Sequence, residues 1–144
     1  MPPGLADLPR IGLRIAVAEE APSVRWFGTG PWETYPDRRT APTGWHELPV
    51  ADLAVPYVRP QENGGRAGVR EVLLGDPATG LHLGFAPPVM MTAGGSDGLE
   101  LVVDAQHRGL GSASCGPNAL PPYRIASGTH TWSWTVTRGH GGAR

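Results

Sequence analysis

Thr131-Trp132-Ser133-Trp134-Thr135-Val136-Thr137 decides the fold class. Trp132, Trp134 and Val136 recur at every second position while hydroxyl residues occupy the positions between them, which is the period of a strand with one apolar face. Core packing is the expected fate of both indoles, with stacking on a sugar ring the alternative. The same alternation appears upstream in Ile11-Gly12-Leu13-Arg14-Ile15-Ala16-Val17, where Ile11, Leu13, Ile15 and Val17 share a face. Residues 24–27 are expected to lie beside that strand. Further strands are expected at 69–74, 81–85 and 99–103, the last with Leu99, Leu101 and Val103 on one side. No window of helical length carries a 3.6-residue apolar period. The reading is therefore an all-β sandwich spanning residues 10–138, with flexible ends at 1–9 and 139–144 and long loops at 38–66 and 106–123.

The 144 residues suit one domain, and 21 glycines with 16 prolines punctuate the strands rather than replace them. A net charge of -1 lacks the basic excess that nucleic acid or an anionic membrane selects, so neither is an expected partner. A single cysteine, Cys115, leaves no partner for an internal disulfide and fits a reducing, cytoplasmic compartment. Residues 1–9 have no apolar core of a signal peptide, and no run is long enough to span a bilayer.

Catalytic chemistry is hard to place on these residues. Glycoside hydrolysis needs two carboxylates at a set separation, and Glu33, Asp37, Glu47, Glu62 and Asp104 offer pairs without a spacing that selects one. His46-Glu47 starts like a zinc-protease helix, but the second histidine is missing and Pro49 would break the helix. Histidines 46, 82, 107, 130 and 140 are scattered, so no metal site is expected. Cys115 has no local histidine or aspartate to activate it, and a small buried or semi-buried thiol is the expectation.

Trp26-Phe27-Gly28-Thr29-Gly30-Pro31-Trp32-Glu33-Thr34-Tyr35-Pro36-Asp37-Arg38 combines aromatics, glycines, prolines and both charge signs in a run that a passive loop has no need of. It resembles the signature of the C-terminal, small-chain domain of glycoside hydrolase family 2 β-galactosidases of the lactose-hydrolysing type. Within it Trp26, Gly28, Gly30, Pro31, Glu33, Tyr35, Asp37 and Arg38 match the motif. Pro56-Tyr57-Val58-Arg59-Pro60-Gln61-Glu62-Asn63-Gly64 is similar to the next motif, with Tyr57, Glu62, Asn63 and Gly64 as the matching positions. Leu8-Pro9-Arg10-Ile11-Gly12-Leu13 resembles the lead-in strand and Val69-Arg70-Glu71 a later one. The last loop is matched by Gln106-His107-Arg108-Gly109-Leu110-Gly111, by Cys115-Gly116-Pro117 and by Leu120-Pro121-Pro122-Tyr123.

The resemblance implies a β-supersandwich of the galactose mutarotase-like kind. It also implies that the catalytic glutamates, the magnesium ligands and the galactose pocket belong to a preceding (β/α)8 barrel of about 250 residues, too large for this chain to contain. No catalytic residue and no cofactor is then expected here, magnesium being expected in the barrel. The partner is the catalytic portion, or a second copy meeting this one. In many members of the family the last loop places a tryptophan beside the aglycone sugar, whereas others carry Cys-Gly-Pro there. Cys115 stands at that position, so the resemblance implies that Gly111, Cys115, Gly116, Pro117 and Asn118 form a substrate-proximal loop that holds a β-galactoside weakly, the alternative being a covering loop only. Between residues 85 and 99 the family has a further strand and a helical turn, where this chain is expected to take a shortcut. A free-standing carbohydrate-binding or mutarotase-like module, and a scaffold that binds no sugar, are the other function classes. Burial of Trp32, Trp45, Trp132 and Trp134 together would speak against the sugar-binding module.

Overall fold

The computed structural model describes residues 7–17, 21–76, 78–95, 98–111 and 117–139. Among these residues seven strands form one antiparallel system: β1 (Arg10–Val17), β2 (Ser23–Thr29), β3 (Thr43–Pro49), β4 (Arg66–Leu74), β5 (Leu81–Gly94), β6 (Leu99–His107) and β7 (Ser133–Arg138). Short 3-10 turns at Val50–Asp52 and Pro121–Tyr123 are the only helical pieces among the described residues. The strand order is β1-β6-β5-β4-β2-β3, with β7 joined to β5 alone.

The long strand β5 makes this sheet a sandwich. Its first half, from Leu81 to Ala86, pairs with β7, and Leu81 to Gly84 pair with the end of β4. Its second half pairs with β6 through Met90 to Gly94 and with the start of β4 through Val89 and Met91. Pro87 and Pro88 sit between the halves, where neither ladder asks for an amide. The two halves enclose one core, built from Val24, Trp26, Val72, Leu74, Leu83 and Phe85 on one side and Val89, Met91, Leu99, Leu101 and Val103 on the other. Burying these side chains removes apolar surface at about 25 cal/mol per Å², which dominates the stability of the domain.

The strands read from alternation are present, with three corrections. β1 pairs with β6, from Ile15 opposite Leu101 to Val17 opposite Leu99, while β2 lies between β3 and β4, so residues 24–27 are not its neighbour. β3 lies inside the stretch expected to be loop. Its inward positions are Gly44, His46 and Leu48, a single aliphatic residue that leaves no apolar alternation to read. The expected shortcut after Phe85 is the second half of β5, whose Val89, Met91 and Ala93 point into the core. A fourth difference concerns Trp134, which faces inward beside Phe85 yet is 44% exposed, so core packing holds only for the half-buried Trp132. Residues 7–9 are bound to the domain: Leu8 bridges to Ile125, the Pro9 carbonyl accepts from Arg108 N–H, and Asp7 pairs with Arg108 at 2.9 Å.

Candidate functional site

The signature stretch leaves β2 and folds over the sheet as a brace. Tyr35 and Arg38 exchange two backbone hydrogen bonds of 2.9 Å, closing a tight turn with Pro36 and Asp37 at its tip. That turn aims Asp37 at the last loop, where its carboxylate accepts the amides of Leu110 at 3.1 Å and Gly111 at 2.6 Å. Gly109 is required between them, because a Cβ there would lie 2.8 Å from the Asp37 carboxylate and 2.8 Å from Tyr123 Cβ. Two motifs distant in sequence are thus tied by one side chain.

Glu33 organises the other half of the brace. It is 8% exposed, and its two oxygens accept from the Tyr57 hydroxyl at 2.7 Å, the Gly64 amide at 3.1 Å, the Tyr35 hydroxyl at 3.2 Å and the Arg38 guanidinium. Burial pushes its pKa up, but Tyr57, Gly64 and Arg38 together hold it below the usual carboxylate range. Burial, with Glu33 adjacent, pushes the Tyr35 hydroxyl up to about 12. Asn63 clips the incoming loop by bonding both the N–H and the carbonyl of Val55, at 2.7 and 2.6 Å. Beyond it Arg59 holds a left-handed φ of 53° and Val58 is 94% exposed.

Three buried polar groups beneath the brace carry no individual signal in the sequence. Arg66 is fully buried, donates to the carbonyls of Pro31 at 2.9 Å and Leu53 at 3.3 Å, and lies over the Trp26 ring. Its desolvation lowers its pKa. Asp104 is buried against Arg10 at 3.6 Å, and its pKa is raised by burial, with Arg10 and His107 opposing. His107 lies 3.9 Å from Glu62, which pairs with Arg10. Only the register at the Ile11/Gly12 bulge, opposite Asp104, could have placed these groups together.

The brace borders two adjoining depressions that share Arg38, Leu110 and Gly111. One, of about 540 Å³, is lined also by Asp37, Pro117, Asn118 and Tyr123, and the other, of about 300 Å³, by Glu33, Tyr57 and Glu62. The structure therefore gathers Glu33, Asp37, Arg38, Tyr57, Glu62, Gly111, Pro117 and Asn118 on one surface. Trp26, Tyr35 and Gly64 are buried beneath it, while Gly28 and Gly30 pass close to Val69 and to Trp26. Asn118 is only partly available to a ligand, since its side-chain oxygen accepts from Arg108 and from the Ala119 amide. Cys115 and Gly116 lie outside the described residues.

The carboxylates weighed as catalytic candidates all engage this chain's own groups: Glu33 and Asp37 as above, Glu47 with Ser23 at 2.8 Å, and Glu62 and Asp104 with Arg10. Among the described residues no three histidine, cysteine or acidic side chains are placed to hold a metal ion. Nor is any helix among them long and apolar enough to cross a membrane. Trp32, Trp45 and Trp134 are exposed, so the four tryptophans are not buried together.

The family described as "Beta galactosidase small chain" matches residues 1–137. The chain is 33% identical to the "Beta-galactosidase" of Arthrobacter sp. (strain B7) over 141 residues, covering 81% of this chain and 14% of that protein. It is 31% identical to that of Klebsiella pneumoniae over 92% of this chain and 14% of the relative. A 74-residue portion is 50% identical to the enzyme of Erwinia tasmaniensis, 50% of this chain and 7% of the relative. The chain thus spans a small fraction of the length of the curated relatives it matches. With a sheet that follows the expected strands and motifs that meet in one brace, this chain belongs to the beta galactosidase small-chain family.

Proposed function

We propose that this chain is a non-catalytic part of a glycoside hydrolase family 2 β-galactosidase, a galactose mutarotase-like sandwich that supports the catalytic portion. That portion carries the barrel, the catalytic glutamates and the magnesium, and hydrolyses terminal β-D-galactosides such as lactose in the cytoplasm. The observation that carries the reading is the use made of the candidate carboxylates: Glu33, Asp37, Glu47 and Glu62 are all committed to hydrogen bonds within the chain, and Asp104 is buried 3.6 Å from the Arg10 guanidinium. A general acid in a glycosidase needs a raised pKa and access to the glycosidic oxygen, whereas Glu33 is held low and Asp104, though raised, is buried. The brace instead fixes residues 55–64 and 108–111 relative to each other.

The loop through Gly111, Cys115, Gly116, Pro117 and Asn118 is proposed to lie near the aglycone sugar of the assembled enzyme. With a thiol in place of an indole it offers no ring face, so affinity for the second sugar is weak. In the assembled enzyme Cys115→Trp should raise kcat/KM for lactose relative to an aryl galactoside. An unchanged ratio removes the loop from the site.

The test of the main reading is turnover of a chromogenic aryl β-galactoside by the purified chain. None is expected. Turnover abolished by substituting one of the chain's own carboxylates overturns the proposal. The second reading, a carbohydrate-binding module, is favoured by exposed Trp32 and Trp45. Saturable quenching of tryptophan fluorescence by lactose in the isolated chain, lost in Trp32→Ala or Trp45→Ala, would establish it instead.

A further inference from the structure

The two layers of the sandwich are unequal on one side. Beyond the bend in β5, one layer continues through β6 to β1, whereas the other continues through β7 and, among the described residues, stops. β1 therefore overhangs by one strand. Its inward residues are Leu13, Ile15 and Val17, set opposite Val103, Leu101 and Leu99, and none of the three is buried. Trp134 and Val136, facing inward beside Phe85 and Leu83, are 44% and 48% exposed for the same reason. Between β1 and β7 lies an apolar cleft of about 390 Å³, walled by Ile15, Val17, Leu83, Leu101, Trp134 and Val136 among others.

We propose that this seam is a docking slot for one β-strand, supplied by the larger β-galactosidase polypeptide; the inference rests on the function proposed above and names the surface through which it acts. Three observations define the occupant. The outer edge of β7 pairs with no strand among the described residues, so a row of backbone donors and acceptors is offered there as well as apolar surface. An added strand satisfies both, with apolar residues at alternate positions over Ile15, Val17 and Leu101. The sequence Ser133-Trp134-Thr135-Val136-Thr137-Arg138 has no proline and no lysine, and its one inward charge, Arg138, stands at the end of the strand with its Nε donating to the Thr79 carbonyl at 3.3 Å.

A second copy of this chain does not fit the slot. Pairing β7 with β7 would leave room for four strands in that layer, β5, β7 and their two mates. The facing layer must hold six, β5, β6, β1 and their mates, so the two β1 strands would collide. The remaining source is the rest of the enzyme, since the matched segment is only 14% of the Arthrobacter relative.

The test mixes this chain with the β-galactosidase polypeptide of the same source from which the segment homologous to it has been removed. Hydrogen exchange of the β7 amides is followed with and without that polypeptide. Protection of the β7 edge by about a hundredfold or more is expected on binding. Val136→Lys should weaken association about tenfold to a hundredfold, and Thr135→Lys, on the opposite face, should not. Val136 is half exposed, so the lysine variant should keep its urea midpoint; if it does not fold, exchange in the natural chain decides alone. Association with β7 unprotected overturns this inference and leaves the proposed function standing. Absence of any association overturns the proposed function and the inference with it. A dimer of the isolated chain with mutual protection of β7 overturns the choice of occupant.

Discussion

Removing the Glu33 carboxylate should loosen the brace by an amount that the geometry fixes. In Glu33→Ala four donors lose their acceptor. Tyr57 and Arg38 are exposed enough to turn to water, and their loss costs little. The Gly64 amide and the Tyr35 hydroxyl are buried and have no solvent to turn to, each costing about 1–3 kcal/mol when stranded. The expected loss is thus about 2–6 kcal/mol, and for a domain of this size a melting temperature lower by roughly 7–20 °C. Glu33→Gln should cost less, about 1–3 kcal/mol, because its remaining oxygen can still accept from Gly64 and Tyr35 while its amide N–H donates to the Tyr57 hydroxyl and the exposed Arg38 turns to water. Urea unfolding followed by tryptophan fluorescence measures both. The reasoning is refuted if the alanine variant loses less than about 1 kcal/mol, or if glutamine costs as much as alanine.

The two shifted carboxylates predict opposite pH effects. Glu33 is depressed in the folded chain, so its contribution is present above the unfolded pKa and lost as pH falls through the lower folded value. Asp104 is raised, so its ionised form costs stability above that raised value, and the cost disappears on acidification. Asp104→Asn should therefore match or exceed the natural chain in stability at pH 7 and lose that advantage by about pH 4, measured as melting temperature. Gly109→Ala should cost about 1–3 kcal/mol and speed amide exchange at Leu110 and Gly111, because its Cβ displaces Asp37. Leu101→Ala, at the centre of the core, should cost about 2–5 kcal/mol in urea, while Val58→Asp should stay within about 0.5 kcal/mol.

Strands with aliphatic residues at alternate positions, such as β1 and β6, could be read directly, because burial on one face writes its period into the sequence. β3 could not, since its inward face is built from glycine, histidine and leucine, with His46 packed on Trp26 at 5.4 Å. The second half of β5 was hidden by Pro87 and Pro88, which argue against a central strand unless the ladder is known to break there. Trp134 illustrates a further limit. Alternation tells which way a side chain faces, but its burial depends on whether another strand covers that face, and over β1 none of the described residues forms one.

At the candidate site the motif residues were legible as a set and their division of labour was not. Aromatics, carboxylates and glycines in one run announced specific contacts, yet nothing local linked Asp37 to Leu110, 73 positions away, or Glu33 to Gly64. Arg66 was the hardest to foresee, being a buried guanidinium satisfied by carbonyl oxygens and an indole face rather than by an acid.

The most direct test of the central claim is a titration of the catalytic polypeptide with this chain, read as the rate of aryl β-galactoside hydrolysis. The account predicts no rate from this chain alone, and a rate that rises and saturates near equal amounts of the two. A rate from the chain alone, or a catalytic polypeptide indifferent to its addition, would contradict it.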